Sequence, residues 1–347
     1  MEVHECVLRT YPSIPITALS FSHPRTESST QAQNARLAVG RENGDIEIWN
    51  PFNWYQEKII RGGGSERAID GLTWAVDPDW TLDDGKFVGG AMRLFSIGLT
   101  STITEWDIAK GVPRRHAFGY HGEIWCLASL PPSAWGGKVT RLIAGTNKGE
   151  LVMYSIEDDQ LRFEKVLSRP PNRSGPGGKN AFQITSLACR DARIIIAGCS
   201  DNSIRIFNLR SGSQVKRVTV NARRGNMETI VWSVKCLPDG DIVSADEGGQ
   251  ISIWDARTLT LAQSLLAHTD HVVCLTVSSD GQTIVTGGND ARSKVLRKRS
   301  EDGIWDVAQQ RRHHSAEIKA MAAFESGGRS VVVSGGSFIC QHLNCFS

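Results

Sequence analysis

The sequence predicts an all-β fold, a seven-bladed β-propeller, from three observations. The stretch Ile230 to Ala267 reads as four short strands joined by tight turns, and similar four-strand stretches recur from one end of the chain to the other. The spacing from the small residue closing each second strand to the aromatic closing each third is also nearly fixed. It is nine in Gly40 to Trp49, Gly145 to Tyr154, Gly198 to Phe207 and Ala245 to Trp254, and eight in Gly98 to Trp106. A fixed hairpin demands such constancy, because a one-residue slip would turn the buried face outward.

Within the prototype, Val234 and Cys236 alternate with Ser233 and Lys235, and Pro238-Asp239-Gly240 supplies a turn, with Pro presetting φ and Gly accepting a positive one. Ile242 to Ala245 is an apolar run, Glu247-Gly248-Gly249 turns the chain, and Ile251 and Ile253 alternate with Gln250 and Ser252 up to Trp254-Asp255. Leu261 to Leu266 is the fourth strand. Such a sheet cannot bury both faces alone and needs neighbours stacked on each side. The Trp-Asp ending is the dipeptide signature of WD-repeat propellers.

Taken in order, Val3 to Arg9 is a strand-like lead expected to complete the last blade. Blade one is Ile16 to Phe21, Arg36 to Gly40, Asp45 to Asn50 and Tyr55 to Ile60, with a polar insertion, His23 to Asn34. Blade two is Ile69 to Trp74, Arg93 to Gly98, Thr102 to Asp107 and Arg114 to Phe118, with an insertion, Asp77 to Gly90. Blade three is Ile124 to Ser129, Arg141 to Gly145, Glu150 to Ile156 and Arg162 to Leu167, followed by a Pro/Gly/Arg-rich stretch, Ser168 to Asn180, read as a mobile loop. Blade four is Ile184 to Cys189, Arg193 to Gly198, Ser203 to Leu209 and Val215 to Val220; the prototype is blade five. Blade six is His271 to Val277, Thr283 to Gly287, Ser293 to Arg299 and Trp305 to Ala308. A seventh starts with Ile318 to Phe324 and Ser330 to Gly335, and there the pattern fails. The propeller is thus expected over residues 1–336, its last blade incomplete or closed by the N-terminal strand. Residues 337–347 form an atypical end, read as a truncation or an unusual closure.

The length supports one toroidal domain, since seven blades of ~40–45 residues need roughly 300 and the chain has 347. A formal net charge of +2 excludes a polybasic character. The eight cysteines form no C-x-x-C pair and read as small buried hydrophobes of a reducing compartment. There is no signal-peptide pattern and no apolar run of membrane-spanning length, so an intracellular, soluble protein without membrane contact is expected.

No constellation reads as catalytic, cofactor-binding or metal-binding. His268, Thr286 and Asp290 suggest a hydrolase trio, but their spacing is that of a structural hydrogen-bond network between strands. Gly62-Gly63-Gly64-Ser65 lacks the Lys-Ser/Thr of a phosphate loop, and His313-His314 with Glu317 lacks a zincin helix. The basic clusters carry more: Arg114-Arg115-His116, Arg223-Arg224, the run through Arg297, Lys298 and Arg299, and Arg311-Arg312-His313-His314. Such runs protect exposed edge strands or form a phosphate-contacting rim. On the second reading Arg223, Arg224, Arg297, Lys298, Arg299, Arg311 and Arg312 are the RNA-contacting candidates. No aromatics interleave with them, so contact would be to the backbone.

Several phrases are more particular than a repeat consensus: RLAVGRENGDIEIWNPFNWYQEKII (Arg36 to Ile60), AIDGLTW (Ala68 to Trp74), RLFSIGLTSTITEWD (Arg93 to Asp107), GEIWCLA (Gly122 to Ala128) and IVWSVKCLPDGDIVSAD (Ile230 to Asp246). Together they closely resemble the amino-terminal propeller of the cirhin family, WD-repeat subunits of the UTP-A (t-UTP) subcomplex of the small-subunit processome. The resemblance runs from about Val3 to Gly336 and includes the non-repeat phrase Asn53-Trp54-Tyr55-Gln56-Glu57. It implies a nucleolar, non-catalytic scaffold that joins sister UTP-A subunits and engages the 5′ external transcribed spacer of pre-ribosomal RNA, with no cofactor and no small-molecule substrate. Family members carry a second propeller and a carboxy-terminal extension that this chain does not show. The competing expectation, from the fold alone, is a generic interaction adaptor such as a ubiquitin-ligase substrate receptor.

Overall fold

Period-two alternation bounded by Gly, Pro and Asp turns resolves into six four-stranded antiparallel sheets among the described residues. The computed structural model describes residues 3–7, 14–62, 68–85, 87–131, 139–168, 182–220, 229–336 and 342–346. Blade one is Ile16–Phe21, Leu37–Arg41, Ile46–Asn50 and Tyr55–Ile60. Blade two is Gly71–Val76, Met92–Ile97, Thr102–Asp107 and Val112–Phe118. Blade three is Ile124–Ser129, Arg141–Thr146, Leu151–Ser155 and Arg162–Ser168. Blade four is Ile184–Cys189, Ile194–Cys199, Ser203–Asn208 and Gln214–Thr219. Blade five is Val231–Cys236, Ile242–Asp246, Gln250–Trp254 and Leu261–Leu266. Blade six is Val272–Val277, Thr283–Gly288, Ser293–Lys298 and Trp305–Arg311.

The expected seventh blade is corrected. The stretch from Ile318 forms a two-stranded sheet, Ile318–Ser326 with Arg329–Gly336, where a blade needs four strands. The physical reason lies in the sequence after Gly336. Ser337-Phe338-Ile339-Cys340-Gln341 offers neither a polar turn nor an alternation toward a closing aromatic; those residues lie outside the described ones. The N-terminal strand is not hydrogen-bonded to that sheet, although the strand it pairs with, His342–Phe346, packs beside Arg329–Gly336. Val3–Val7 pairs with His342–Phe346 in a separate two-stranded sheet, Val3 opposite Phe346 and Val7 opposite His342.

The ring is held by packing between sheets. Each first strand lies beside the first strand of the next blade, and Ile318–Ser326 stands between those of blades six and one. Cys274, Val285 and Val295 of blade six bury against Ile318, Met321 and Val332, and Phe324 and Val333 bury against Ile16, Phe21 and Leu37 of blade one. The small residues of the fixed register sit at these seams. A Cβ on Gly40 would lie 2.5 Å from Ile69, on Gly145 2.5 Å from Ile184, on Gly287 2.8 Å from Ile318 and on Gly335 2.4 Å from Ile16. Glycine is therefore required there by close approach of a β-branched neighbour rather than by a turn. The register aromatics Trp49, Trp106, Tyr154, Phe207 and Trp254 are all buried. The indole N–H groups donate to Glu47, Ser96 and Ser244 at 2.8–2.9 Å, which removes the cost of burying them.

Both insertions carry structure of their own. The first ends in a short helix, Ser29–Asn34, whose cap Ser28 accepts from the Gln31 N–H at 3.1 Å. The second forms a small hairpin, Trp80–Thr81 with Phe87–Val88. Ser168 ends the fourth strand of blade three; the rest of the expected loop, through Asn180, lies outside the described residues.

Candidate functional site

Antiparallel blades sort the connections onto two faces. Turns between second and third strands, and crossings from a fourth strand to the next blade, share one face, called upper here; turns from first to second and third to fourth strands share the lower. This separates residues that are adjacent in sequence. In blade six Ser293 pairs with Arg311, while Arg297 pairs with Asp306 and Lys298 with Trp305. Arg311 and Arg312 therefore stand at the upper rim and Arg297, Lys298 and Arg299 at the lower, roughly 13 Å or more of strand apart.

The two groups differ in charge balance. Lys298 pairs with Asp239 at 3.4 Å and lies over the Trp305 ring, and Arg299 pairs with Asp302 at 2.9 Å and Asp306 at 3.2 Å. Among the described residues no carboxylate pairs with Arg311 or Arg312, and both are exposed. Arg114 and Arg115 are committed elsewhere: both reach the buried Glu105, which also takes Arg93 at 2.9 Å, and both pair with Asp159 of blade three. Arg223 and Arg224 lie outside the described residues.

The structure brings His268, Thr286 and Asp290 together. His268 Nδ1 is 3.0 Å from Asp290 and Nε2 is 2.8 Å from the Thr286 hydroxyl. A carboxylate only accepts, so Nδ1 donates to it, while the Thr286 hydroxyl, which also reaches the Lys294 carbonyl at 3.5 Å, can serve Nε2 as donor or acceptor. All three side chains are buried at the seam between blades five and six, where no substrate reaches them. A second pair of this type, missed in the sequence, joins His314 Nε2 to Ser334 Oγ at 2.9 Å in the two-stranded unit. Burial pushes His268 below its ordinary value of 6.5 despite the Asp290 hydrogen bond. A depressed folded value makes this contribution to stability complete above the unfolded pKa and lost as pH falls below it. We expect the urea midpoint to fall between about pH 7.5 and pH 5, and His268→Gln to flatten part of that dependence. His23, also held down by burial, accounts for another part.

An exposed aromatic pair, outside the basic runs singled out in the sequence, stands on the same molecule. Phe118 is 68% and Tyr120 97% exposed, beside the turn at Gly119 on the upper face. They adjoin a cleft of about 790 Å³ between blades one and two, whose lining includes Arg61, Asp70, Leu99, His116, Phe118 and Lys319. The available signal was the run His116-Ala117-Phe118-Gly119-Tyr120, where a strand ends with its aromatics still alternating. Among the described residues no His, Cys, Asp and Glu group could hold a metal. Burial drives the thiols up, Cys189 to about 11 and Cys199, Cys236 and Cys274 to about 12, so they stay protonated and inert.

The WD domain, G-beta repeat family matches residues 218–255 and 259–295, from the last strand of blade four into blade six. The chain is an all-β propeller, and these two stretches of it match the WD repeat. Across its length the propeller is similar to proteins called U3 small nucleolar RNA-associated protein 4. The Schizosaccharomyces pombe protein is 32% identical over 97% of the chain and 44% of its own length; the Saccharomyces cerevisiae protein is 34% identical over 100% and 43%. The human homolog is 29% identical over 85% of the chain and 40% of its own length. The chain thus spans less than half the length of these curated relatives.

Proposed function

We propose that this propeller is a scaffold subunit of the small-subunit processome in the nucleolus, part of UTP-A (t-UTP). It binds the 5′ external transcribed spacer of nascent pre-ribosomal RNA and sister subunits during pre-18S rRNA processing. The observation that carries the reading is similarity over nearly the whole chain to relatives named for association with U3 small nucleolar RNA. The molecule supports it with a rigid ring and an upper face that presents two unpaired arginines, Arg311 and Arg312, and two exposed rings, Phe118 and Tyr120. Arginines hold phosphates, and rings take unstacked bases.

The test is the salt dependence of binding to a single-stranded 5′ spacer transcript. Each phosphate contact contributes about 0.7 to the slope of log K against log salt. Replacing Arg311 and Arg312 with Ala should flatten it by about 1.4. Replacing Arg297, Lys298 and Arg299 should change it less, since Lys298 and Arg299 are already neutralised by carboxylates. An unchanged slope in the Arg311/Arg312 variant would assign those residues to edge protection. Tyr120→Ala and Phe118→Ala should weaken binding by about 1–3 kcal/mol each without altering the slope.

A further inference from the structure

On the lower face a cavity of about 530 Å³ is lined by first-strand residues from an arc that runs from blade four round to blade one, among them Cys189 of blade four, Lys235 of blade five, Met321 of the two-stranded unit and Phe21 of blade one. Walls from opposite sides of the ring make it the mouth of the central channel. Three cations, Arg25, Arg190 and Lys235, line it against one carboxylate, Glu325. Glu325 is already occupied, accepting from the Ser279 N–H at 2.7 Å and from the Ser279 hydroxyl. Among the described residues Arg190 and Arg25 have acidic neighbours only at 3.6 and 3.8 Å, Asp191 and Glu27.

Lys235 is the anomaly. Its neighbours Val234 and Leu237 are buried, whereas its own side chain is open to the channel. No carboxylate pairs with it among the described residues. With Arg190 and Arg25 on the same lining and the one carboxylate already occupied, the opening carries an excess of positive charge that an incoming anion offsets.

We infer that this mouth is a binding pocket for a phosphate group, with Lys235 as its anchoring cation and Arg190 and Arg25 flanking it. Phosphate fits better than a carboxylate because its several acceptor oxygens and charge can engage three cations at once. The group comes either from a free polyphosphate or from an RNA strand entering the channel. The inference stands apart from the processome reading, which places RNA on the upper face.

The test is calorimetric titration of the full chain with two probes, inorganic pyrophosphate and a short oligouridylate. Wild-type protein is expected to bind at least one of them. Binding of pyrophosphate alone identifies a free phosphate ligand, and binding of the oligouridylate alone identifies RNA. Lys235→Met should weaken that binding at least tenfold, the loss of one charge-assisted hydrogen bond, while leaving the melting temperature unchanged or raised because an unpaired charge is gone. Lys235→Arg should retain binding, and Arg190→Gln, outside the strand ladder, should weaken it without touching the core. Failure of both probes to bind wild-type protein, or unchanged affinity in both Lys235→Met and Arg190→Gln, would overturn the inference.

Discussion

Glu47→Ala should destabilise the protein by about 3–5 kcal/mol, because it takes away the carboxylate that the buried Arg41 guanidinium meets in two hydrogen bonds. Arg41 and Glu47 are 3% and 8% exposed and meet through two hydrogen bonds, at 2.9 and 3.1 Å, across the second and third strands of blade one. Glu47 also accepts the Trp49 indole N–H at 2.9 Å, so the same substitution orphans the aromatic that closes the blade. Blades two and five satisfy the equivalent indole with a serine, Ser96 and Ser244. The ion pair is therefore one solution among several to the same burial problem. Replacing both partners with apolar residues, Arg41→Met with Glu47→Leu, should cost less than Glu47→Ala alone, since no charge is stranded. Urea unfolding of the three variants measures this; a Glu47→Ala loss below about 1 kcal/mol would place the pair among those of surface strength.

Gly335→Val should be the most damaging change in the two-stranded unit. Its Cβ would lie 2.4 Å from Ile16, and the added methyls would drive blade one away from the Arg329–Gly336 strand at the seam that closes the ring. Overpacking of this kind costs about 1–3 kcal/mol, or more where neither side can yield. Ile16→Ala placed beside Gly335→Ala should recover part of the loss that Gly335→Ala alone causes, because the two changes share one space. Additive losses would mean that the seam is not tight there.

Much of the fold was legible because its signals are local. Alternation, turn residues and the constant glycine-to-aromatic spacing placed the strands, and the glycines proved to mark the seams between blades. The count of seven failed for a physical reason. Ile318 to Gly335 has the same first two strands as the blades, with the bulge that all but blade two carry, so two strands alone cannot distinguish a blade from a half-blade. What decides is the third strand, and the strand that follows Gly336, His342–Phe346, packs beside Arg329–Gly336 without joining its hydrogen-bonded sheet. The helix at Ser29–Asn34 was readable from Ser28 followed three residues later by Gln31, a capping pattern, but the polar insertion masked it.

The candidate interface was less legible. Arg297 to Arg299 and Arg311-Arg312 look like one basic cluster when only sequence distance is considered. A hairpin register, Ser293 against Arg311 and Lys298 against Trp305, puts them on opposite rims. Aromatics sought inside the basic runs were absent there, yet Phe118 and Tyr120 occupy the same upper face as Arg311 from four blades away along the chain. Ring geometry joins residues that linear reading keeps apart.

The most direct measurement is affinity purification of the tagged chain from nucleolar extract after RNA–protein crosslinking, with sequencing of the bound RNA and mass spectrometry of the bound proteins. The account predicts U3 small nucleolar RNA, reads concentrated in the 5′ external transcribed spacer, and UTP-A subunits. Recovery of ubiquitin-ligase components instead, or of neither spacer RNA nor processome proteins, would contradict it.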